Sequence, residues 1–413
     1  MRLSLIIRLC VMMFLQYAIW GAWTPILSMD LSIPVSQAGL GFDPGQIGMI
    51  YSMLWLACII APFIGGQIAD RWMPTQWFLA GAHFIGALCF FWMSRATDYP
   101  SLRLGMAAWA FFYAPTLALT NSLAFRNLRS SEKEFGYVRV FGTLGWIVAG
   151  LALSFLRYRP QWFGGAFDKN PLDSVLLAAV CQMVMAVFCL TLPHTPPIRS
   201  AESPLAFLKA FKMVKLVPAF LAFLLVSFVM TTELQFYYVT SAPFLKDLNL
   251  PREQLSAWQT IAQCAELIGM AVLLPFLLPR IGMRWSLAIG ALAWPLRYAV
   301  YAIGKPVWLV LASLSLHGIG YTFFFVVSQI YVDKVAPRDI RASAQSLLTF
   351  VTLGLGNLLG TYFTGWIWGL NKHGEATNWP IVFVVPLALT LTCAVAFLLT
   401  FKEPKASPDP PAK

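Results

Sequence analysis

The sequence predicts an all-α membrane protein with twelve transmembrane helices in two six-helix halves and both termini in the cytoplasm. Three observations lead to this prediction: the composition, the spacing of the apolar runs and the distribution of Lys and Arg. Of 413 residues, 59% are hydrophobic and only 11% are charged, against roughly 25% charged residues in an average soluble chain. Such a composition is typical of a chain embedded in a lipid bilayer.

Apolar runs long enough to cross a bilayer recur along the whole chain. A helix needs roughly 20 residues to cross about 30 Å of hydrocarbon, and twelve runs approach or exceed that length. The runs are 6–29, 45–66, 76–95, 101–123, 136–156, 173–193, 216–241, 255–279, 285–304, 306–331, 341–369 and 380–401. The first run follows Arg2 and Arg8 but contains no small-x-small cleavage site, so we interpret it as a membrane helix and not as a signal peptide.

The distribution of basic residues predicts the orientation. If the amino terminus is cytoplasmic, the inside segments hold twice as many Lys and Arg residues as the outside segments, as the positive-inside rule requires. The longest polar inside segment, 194–215, is predicted to be a cytoplasmic linker between an amino-terminal half, 1–193, and a carboxy-terminal half, 216–401. Residues 402–413 form a predicted cytoplasmic tail.

Several function classes find no support in the sequence. The net charge of +11 forms no basic stripe of the kind that follows nucleic acid, so no nucleic-acid partner is expected. Seven cysteines without a CxxC pair indicate neither a disulfide framework nor a zinc site. The chain has no HExxH, GxSxG or GxxxxGK[ST] motif, so neither an enzyme nor an ATP-driven pump is predicted. No cofactor and no metal are expected.

A loop motif follows the second run. The stretch GGQIADRW supplies Gly66, Asp70 and Arg71, and together with the twelve-helix plan it resembles the G-x-x-x-D-R loop of the major facilitator superfamily. The resemblance implies a cytoplasmic gate, in which charges and helix ends hold the two halves together in one state. The alternative is that Asp70 and Arg71 are interfacial charges that flank a helix.

Polar and aromatic residues converge on the predicted midplane of the membrane. Since each helical residue advances about 1.5 Å, Gln263 and Glu266 lie near the midplane and share one helix face. Other runs place at this level Gln16, Trp20, Trp23, Thr143, Trp146, Gln235, Tyr238 and His317. An intramembrane carboxylate normally marks a substrate or proton path. Aromatic rings beside amide, hydroxyl and carboxyl groups suit a nucleoside or, less well, a sugar.

Structural roles are the alternatives for these residues. Glu266 could form a buried ion pair with Arg139 or Arg297, and the glutamines could hydrogen-bond between helices. The tryptophans could serve packing alone, and His317 could be a core residue. Glu233, on a different face of its helix, is expected to be structural.

Six stretches are similar to the nucleoside:proton symporter family of the major facilitator superfamily. They are FLQYAIWGAW, YAPTLALTNSLAF, VRVFGTLGWI, TELQFYY, AQCAE and YVDKVAPRDIRASAQ. The resemblance implies proton-driven nucleoside import across the cell inner membrane by alternating access, at a central site between the halves of a monomer. The substrate contacts that it implies are Arg139, Thr143, Trp146, Gln235, Gln263, Glu266, His317 and Tyr321, with ribose hydroxyls on Gln263 and Glu266.

Two positions depart from the family pattern. The tenth run reads GYTFFF, with Thr322 where the family has an Asp, and Tyr238 stands where the family has an Asn that contacts the base. The candidates for proton coupling are therefore Glu266 and His317. We hypothesise that Glu266 takes up a proton from outside and releases it inside, with Arg139 competing for the ionised carboxylate. An uncoupled nucleoside facilitator, or a carrier for a sugar or other small polar molecule, is the alternative function.

Overall fold

The computed structural model describes residues 2–37, 39–71, 73–128, 131–163, 170–197, 218–336 and 341–401. Helices α1 to α7 are Arg2–Trp23, Leu27–Ser32, Pro44–Arg71, Thr75–Met93, Tyr99–Asn127, Ser131–Tyr158 and Asp173–Cys189. Helices α8 to α16 are Pro218–Asp247, Arg252–Ile268, Leu274–Ile303, Val307–Ser313, Ser315–Gly320, Val327–Val335, Arg341–Thr349, Asn357–Leu370 and Trp379–Thr400. Strands β1, Lys372–His373, and β2, Ala376–Thr377, pair antiparallel. The described part of the chain is otherwise helical or loop, as predicted.

Long apolar helices dominate this part of the chain. Among the described residues, nine helical stretches are long and apolar enough to cross a membrane. One of them, Arg252–Ile303, has 52 residues, and two further apolar stretches are Asp173–Cys189 and Pro44–Ile60, the latter being part of the 28-residue helix α3. The predicted runs 255–279 and 285–304 thus belong to one nearly continuous helical stretch. It is interrupted at Gly282, whose φ of 75° and ψ of 175° lie outside the helical region.

Local sequence explains where individual helices begin and end. Helix α1 ends at Trp23 because Pro25 disfavours helical backbone at the residue before it. Helix α5 begins after Asp98, whose carboxylate accepts a hydrogen bond from the Ser101 backbone N–H at 2.9 Å. Such a capping bond satisfies one of the free donors of the first helical turn. It also lowers the pKa of the Asp98 carboxyl, because it stabilises the ionised form.

The chain forms two compact units. The first unit contains Met1–Ala201, Leu234–Gln263 and Asn357–Trp379. Within it, α1 packs against α6 and α7, α4 packs against α5 and α7, and α3 packs against α5 and α15. Its core includes an aromatic stack in which the rings of Phe90 and Trp109 lie 4.5 Å apart. Segments distant in sequence therefore share one core.

The second unit contains Glu202–Glu233, Cys264–Gly356 and Pro380–Lys413. Helix α10 packs here against α12 and against the helical turn that follows it. Three segments of this unit are π-helical turns, which are Gly269–Leu273, Tyr321–Val326 and Phe350–Gly356. Such turns are rare and occur frequently at functional sites.

Candidate functional site

Helices α1 and α6 approach each other closely through glycine. A Cβ atom at Gly21 would lie 2.7 Å from the Cα of Trp146, and one at Gly145 would collide with the Phe14 carbonyl oxygen. Only glycine allows two helix backbones to come this near. The close approach fixes the position of the α6 residues that the sequence predicts to bind substrate.

An aromatic cluster surrounds Trp146 in the first unit. Its ring centroid lies 5.5 Å from that of Trp20 and 6.4 Å from that of Tyr238, and Trp20 in turn lies 5.7 Å from Trp55. The rings are tilted and not parallel, as aromatic pairs prefer. Trp146 and Tyr238, predicted from separate helices, are thus brought together, and Trp20 and Trp55 extend the apolar face that they form.

Gln235 is held by a residue that the sequence analysis did not single out. Its Nε2 donates a hydrogen bond to Oδ1 of Asn357 at 2.7 Å, and both side chains are buried. Within the described part of the chain, Oε1 of Gln235 makes no hydrogen bond. Because an amide offers one acceptor and two donors, this arrangement directs the acceptor of Gln235 away from Asn357. A substrate N–H or O–H group can satisfy it.

The remaining predicted residues of the first unit are the half-buried Arg139 and the buried Thr143 and Gln263. The Arg139 guanidinium lies 4.1 Å from the ring centroid of Tyr17, which is a cation–π contact. Thr143 and Gln263 are 4% and 5% exposed, and Oε1 of Gln263 makes no hydrogen bond with any described residue. The first unit therefore supplies one cation, aromatic faces and two amide acceptors.

The second unit holds the other three predicted residues. Glu266 is almost fully buried, and its backbone carbonyl accepts a hydrogen bond from the Thr322 hydroxyl at 3.4 Å. His317 stacks on Tyr321 with 6.1 Å between ring centroids. Its Nδ1 lies 3.3 Å from Nη1 of Arg297. A guanidinium can only donate, so Nδ1 accepts and a neutral His317 carries its proton on Nε2.

For the predicted cytoplasmic gate, only the backbone belongs to the described part of the structure. Gly66, Asp70 and Arg71 belong to α3, but their side chains lie outside the described residues. A cavity of about 460 Å³ opens elsewhere in the first unit, near the β1–β2 hairpin, and its lining includes Asp247, Trp368 and Trp379. The predicted substrate-binding residues are not among the described residues that line it. The described residues also contain no group of three or more His, Cys, Asp or Glu that could hold a metal ion.

Four charged residues of the first unit form a buried cluster that the sequence analysis missed. Arg157 of α6 bonds through Nη2 to Asp30 Oδ2 at 2.8 Å and through Nε to Asp173 Oδ2 at 2.6 Å. Arg252, at the start of α9, lies 3.0 Å from Asp30. Both carboxylates are fully buried. Four single charges on separate helices carry no spacing signal, so sequence patterns do not indicate that they meet.

Each unit supplies side chains that can bind a small polar molecule. Indole and phenol rings stack on a flat base, and amide acceptors select its N–H groups. A carboxylate binds hydroxyl groups with charge-assisted hydrogen bonds. The chemistry of these side chains is compatible with binding of a polar, partly aromatic molecule.

Comparison with known proteins identifies the family. The sequence model of the Nucleoside H+ symporter family matches residues 3–406. YegT of Escherichia coli (strain K12) is 32% identical over 96% of this chain and 93% of its own length. The xanthosine permease of the same organism is 30% identical over 97% of this chain and 96% of its own length. The crystal structure of the nucleoside transporter NupG has a TM-score of 0.83 and 28% identity, covering 97% of this chain and 100% of NupG. With a family match over nearly its whole length, this chain belongs to the nucleoside H+ symporter family and is a transporter, not an enzyme.

Proposed function

We propose that this protein imports nucleosides together with protons by alternating access. The observation that carries this proposal is the group formed by the buried Trp146 and Gln235 and the half-buried Tyr238, which offers stacking faces and a hydrogen-bond acceptor. Family membership supplies the nucleoside and the proton as the transported species. Binding energy at such a site comes from stacking and from the few polar contacts that fix orientation.

The individual residues take these roles in the proposal. Trp146 stacks on the base, while Gln235 and Tyr238 select its edge groups. Gln263 and Glu266 bind the ribose hydroxyls. The other proposed binding residues are Arg139, Thr143, His317 and Tyr321, and Glu266 and His317 are the candidates for proton coupling. Gly66, Asp70 and Arg71 form the cytoplasmic gate.

We further propose twelve transmembrane helices in a bacterial inner membrane, with both termini cytoplasmic and a monomer as the working unit. Two observations support the helix number: the stretch Arg252–Ile303 is long enough to cross a bilayer twice, and α3 and α7 add two apolar helices of 28 and 17 residues. The excess of Lys and Arg in alternate loops supports the orientation. The halves are 1–193 and 216–401, joined by the linker 194–215, and the tail is 402–413. All of the tail and most of the linker lie outside the described residues.

Uptake into proteoliposomes tests the proposed function. We expect radiolabelled uridine and adenosine to accumulate above equilibration when an inward proton gradient is present, and an ionophore that collapses the gradient to abolish the accumulation. Competition by unlabelled sugars is the control for substrate class. Competition by a sugar as strong as by unlabelled uridine would favour a sugar carrier.

An uncoupled facilitator is the second candidate, and Thr322 favours it. The family has an acid at this position, whereas the buried Thr322 hydroxyl bonds to a backbone carbonyl. A hydroxyl does not ionise at physiological pH, so Thr322 cannot carry a proton. Equilibration of uridine at the same rate with and without the gradient would support this candidate and contradict symport.

Truncation of Trp146 tests the stacking role. We expect Trp146→Ala to weaken nucleoside binding by about 1–3 kcal/mol, the range known for base–aromatic stacking. Isothermal titration of detergent-solubilised protein with uridine measures the change. Trp77→Ala is the matched control, because it removes an indole ring that is 54% exposed and does not belong to the proposed binding residues. An unchanged affinity in Trp146→Ala would exclude the stacking role.

A further inference from the structure

Glu233 is a buried carboxyl group that the proposed binding residues do not include. Glu233 lies on α8 and is 1% exposed. Its Oε2 makes no hydrogen bond with any described residue. Its backbone carbonyl accepts a hydrogen bond from the Tyr298 hydroxyl. In the described part of the chain, Glu233 also forms no salt bridge with a basic side chain.

An ionised carboxylate in this position would be costly. Removing a carboxylate from water costs several kcal/mol unless a cation and hydrogen bonds compensate. The four-charge cluster of Asp30, Asp173, Arg157 and Arg252 shows how this chain compensates two other buried carboxylates, each of which is held by arginine. Glu233 has no such support, so the arrangement favours its protonated form.

The groups around Glu233 connect it to a predicted binding residue. Its titratable neighbours are Tyr298 of α10 and Cys393 of α16, whose thiol lies within electrostatic range of the carboxyl, and Arg297 of α10 lies against the Tyr298 ring. The Arg297 guanidinium lies 4.9 Å from the Tyr298 ring and 3.3 Å from Nδ1 of His317. A negative charge on Glu233 would attract this guanidinium and weaken its contact with His317.

We propose that Glu233 carries the coupled proton in place of the acid that Thr322 replaces. The protonated group leaves Arg297 bound to His317, and loss of the proton draws Arg297 toward Glu233, which changes the surroundings of His317. Proton binding and nucleoside binding are thereby linked within the second unit. This role goes beyond the structural one expected for Glu233 from the sequence, and the inference rests on the proposed nucleoside:proton symport.

Glu233→Gln mimics the protonated carboxyl and tests the inference. We expect reconstituted Glu233→Gln protein to lose accumulation of labelled uridine above equilibration under an inward proton gradient. Uridine counterflow, in which internal unlabelled uridine exchanges for external labelled uridine, should stay within about twofold of wild type. Uridine should also cease to drive proton entry, measured with a pH-sensitive dye trapped inside the vesicles. A purely structural role would not separate exchange from proton coupling.

Controls separate this inference from the proposed function. Glu375→Gln removes the same charge from an exposed residue and should leave accumulation and proton entry unchanged. Accumulation in Glu233→Gln at the wild-type level would overturn the proton-carrying role. If Glu233→Gln fails to fold, Glu233→Asp serves as the second variant, because it keeps a titratable group. We expect Glu233→Asp to retain coupling, with a shifted pH dependence of uridine accumulation. An unshifted pH dependence would contradict the inference. Absence of uridine counterflow in the wild type would instead refute the proposed function.

Discussion

Replacing Arg157 with methionine is expected to lower the free energy of unfolding by about 3–5 kcal/mol, the usual cost of removing one partner of a buried ion pair. The Arg157 side chain is 4% exposed and bridges Asp30 and Asp173, both of which are fully buried. Its loss leaves two carboxylates with only Arg252, at 3.0 and 3.4 Å. Thermal unfolding in detergent, followed by tryptophan fluorescence, measures the loss as a lower melting temperature.

Arg252→Met provides the comparison within the same cluster. The Arg252 side chain is 30% exposed, so water partly replaces it and the ion pairs that it loses are worth less. We expect a clearly smaller fall in the melting temperature than for Arg157→Met. Equal melting temperatures for wild type and Arg157→Met would mean that the cluster does not stabilise the fold.

Glu266→Ala is expected to weaken uridine binding by about 1.5–3 kcal/mol, the contribution of hydrogen bonds to a charged group, which is about tenfold or more in affinity. The proposed reason is that the carboxylate accepts hydrogen bonds from the ribose hydroxyls. The variant should bind 2′,3′-dideoxyuridine nearly as well as the wild type does, because that analogue lacks both hydroxyls. Titration calorimetry with the two ligands on both proteins measures the difference.

The control for Glu266→Ala is Glu253→Ala in the first turn of the same helix α9, which should leave both affinities unchanged. A loss of affinity for the dideoxy analogue as large as that for uridine would contradict ribose recognition by Glu266. It would point to a general change in the site, because a lost hydroxyl contact cannot affect a ligand without hydroxyls.

The class of the protein was predictable because it rests on composition and on long motifs. The scarcity of charge indicates a membrane protein, and stretches such as VRVFGTLGWI and TELQFYY indicate the family, which the match over residues 3–406 confirms. Trp146 and Tyr238 were predicted to share one level of the membrane, and their rings lie 6.4 Å apart. The motifs and the helical rise per residue were enough to predict that these two residues lie near each other, since both belong to regular α-helices. Which residues bind substrate stays a prediction.

Pairwise contacts between distant segments could not be predicted. Asn357 orients Gln235 across 122 residues of sequence, and Arg252 reaches Asp30 across 222. A single polar residue in an apolar run has many equally plausible partners, and only the packing of the helices selects one. Asn357 gave a weak signal, as a buried amide directly after GLG, but nothing in its neighbours indicates Gln235.

The π-helical turns of the second unit also bear on how this family varies. Such a turn carries one residue more than the α-helical turn that it replaces, and an α-helix rotates by about 100° per residue. Residues after Tyr321–Val326, such as Ser328 and Tyr331, therefore face a direction about 100° away from that in an uninterrupted helix. A helical wheel drawn through the whole run assigns them to the wrong side. When two relatives are aligned, a gap of one residue inside such a turn is compatible with an unchanged fold. The helix can gain or lose that residue at the turn, while the helical segments on either side keep their packing neighbours.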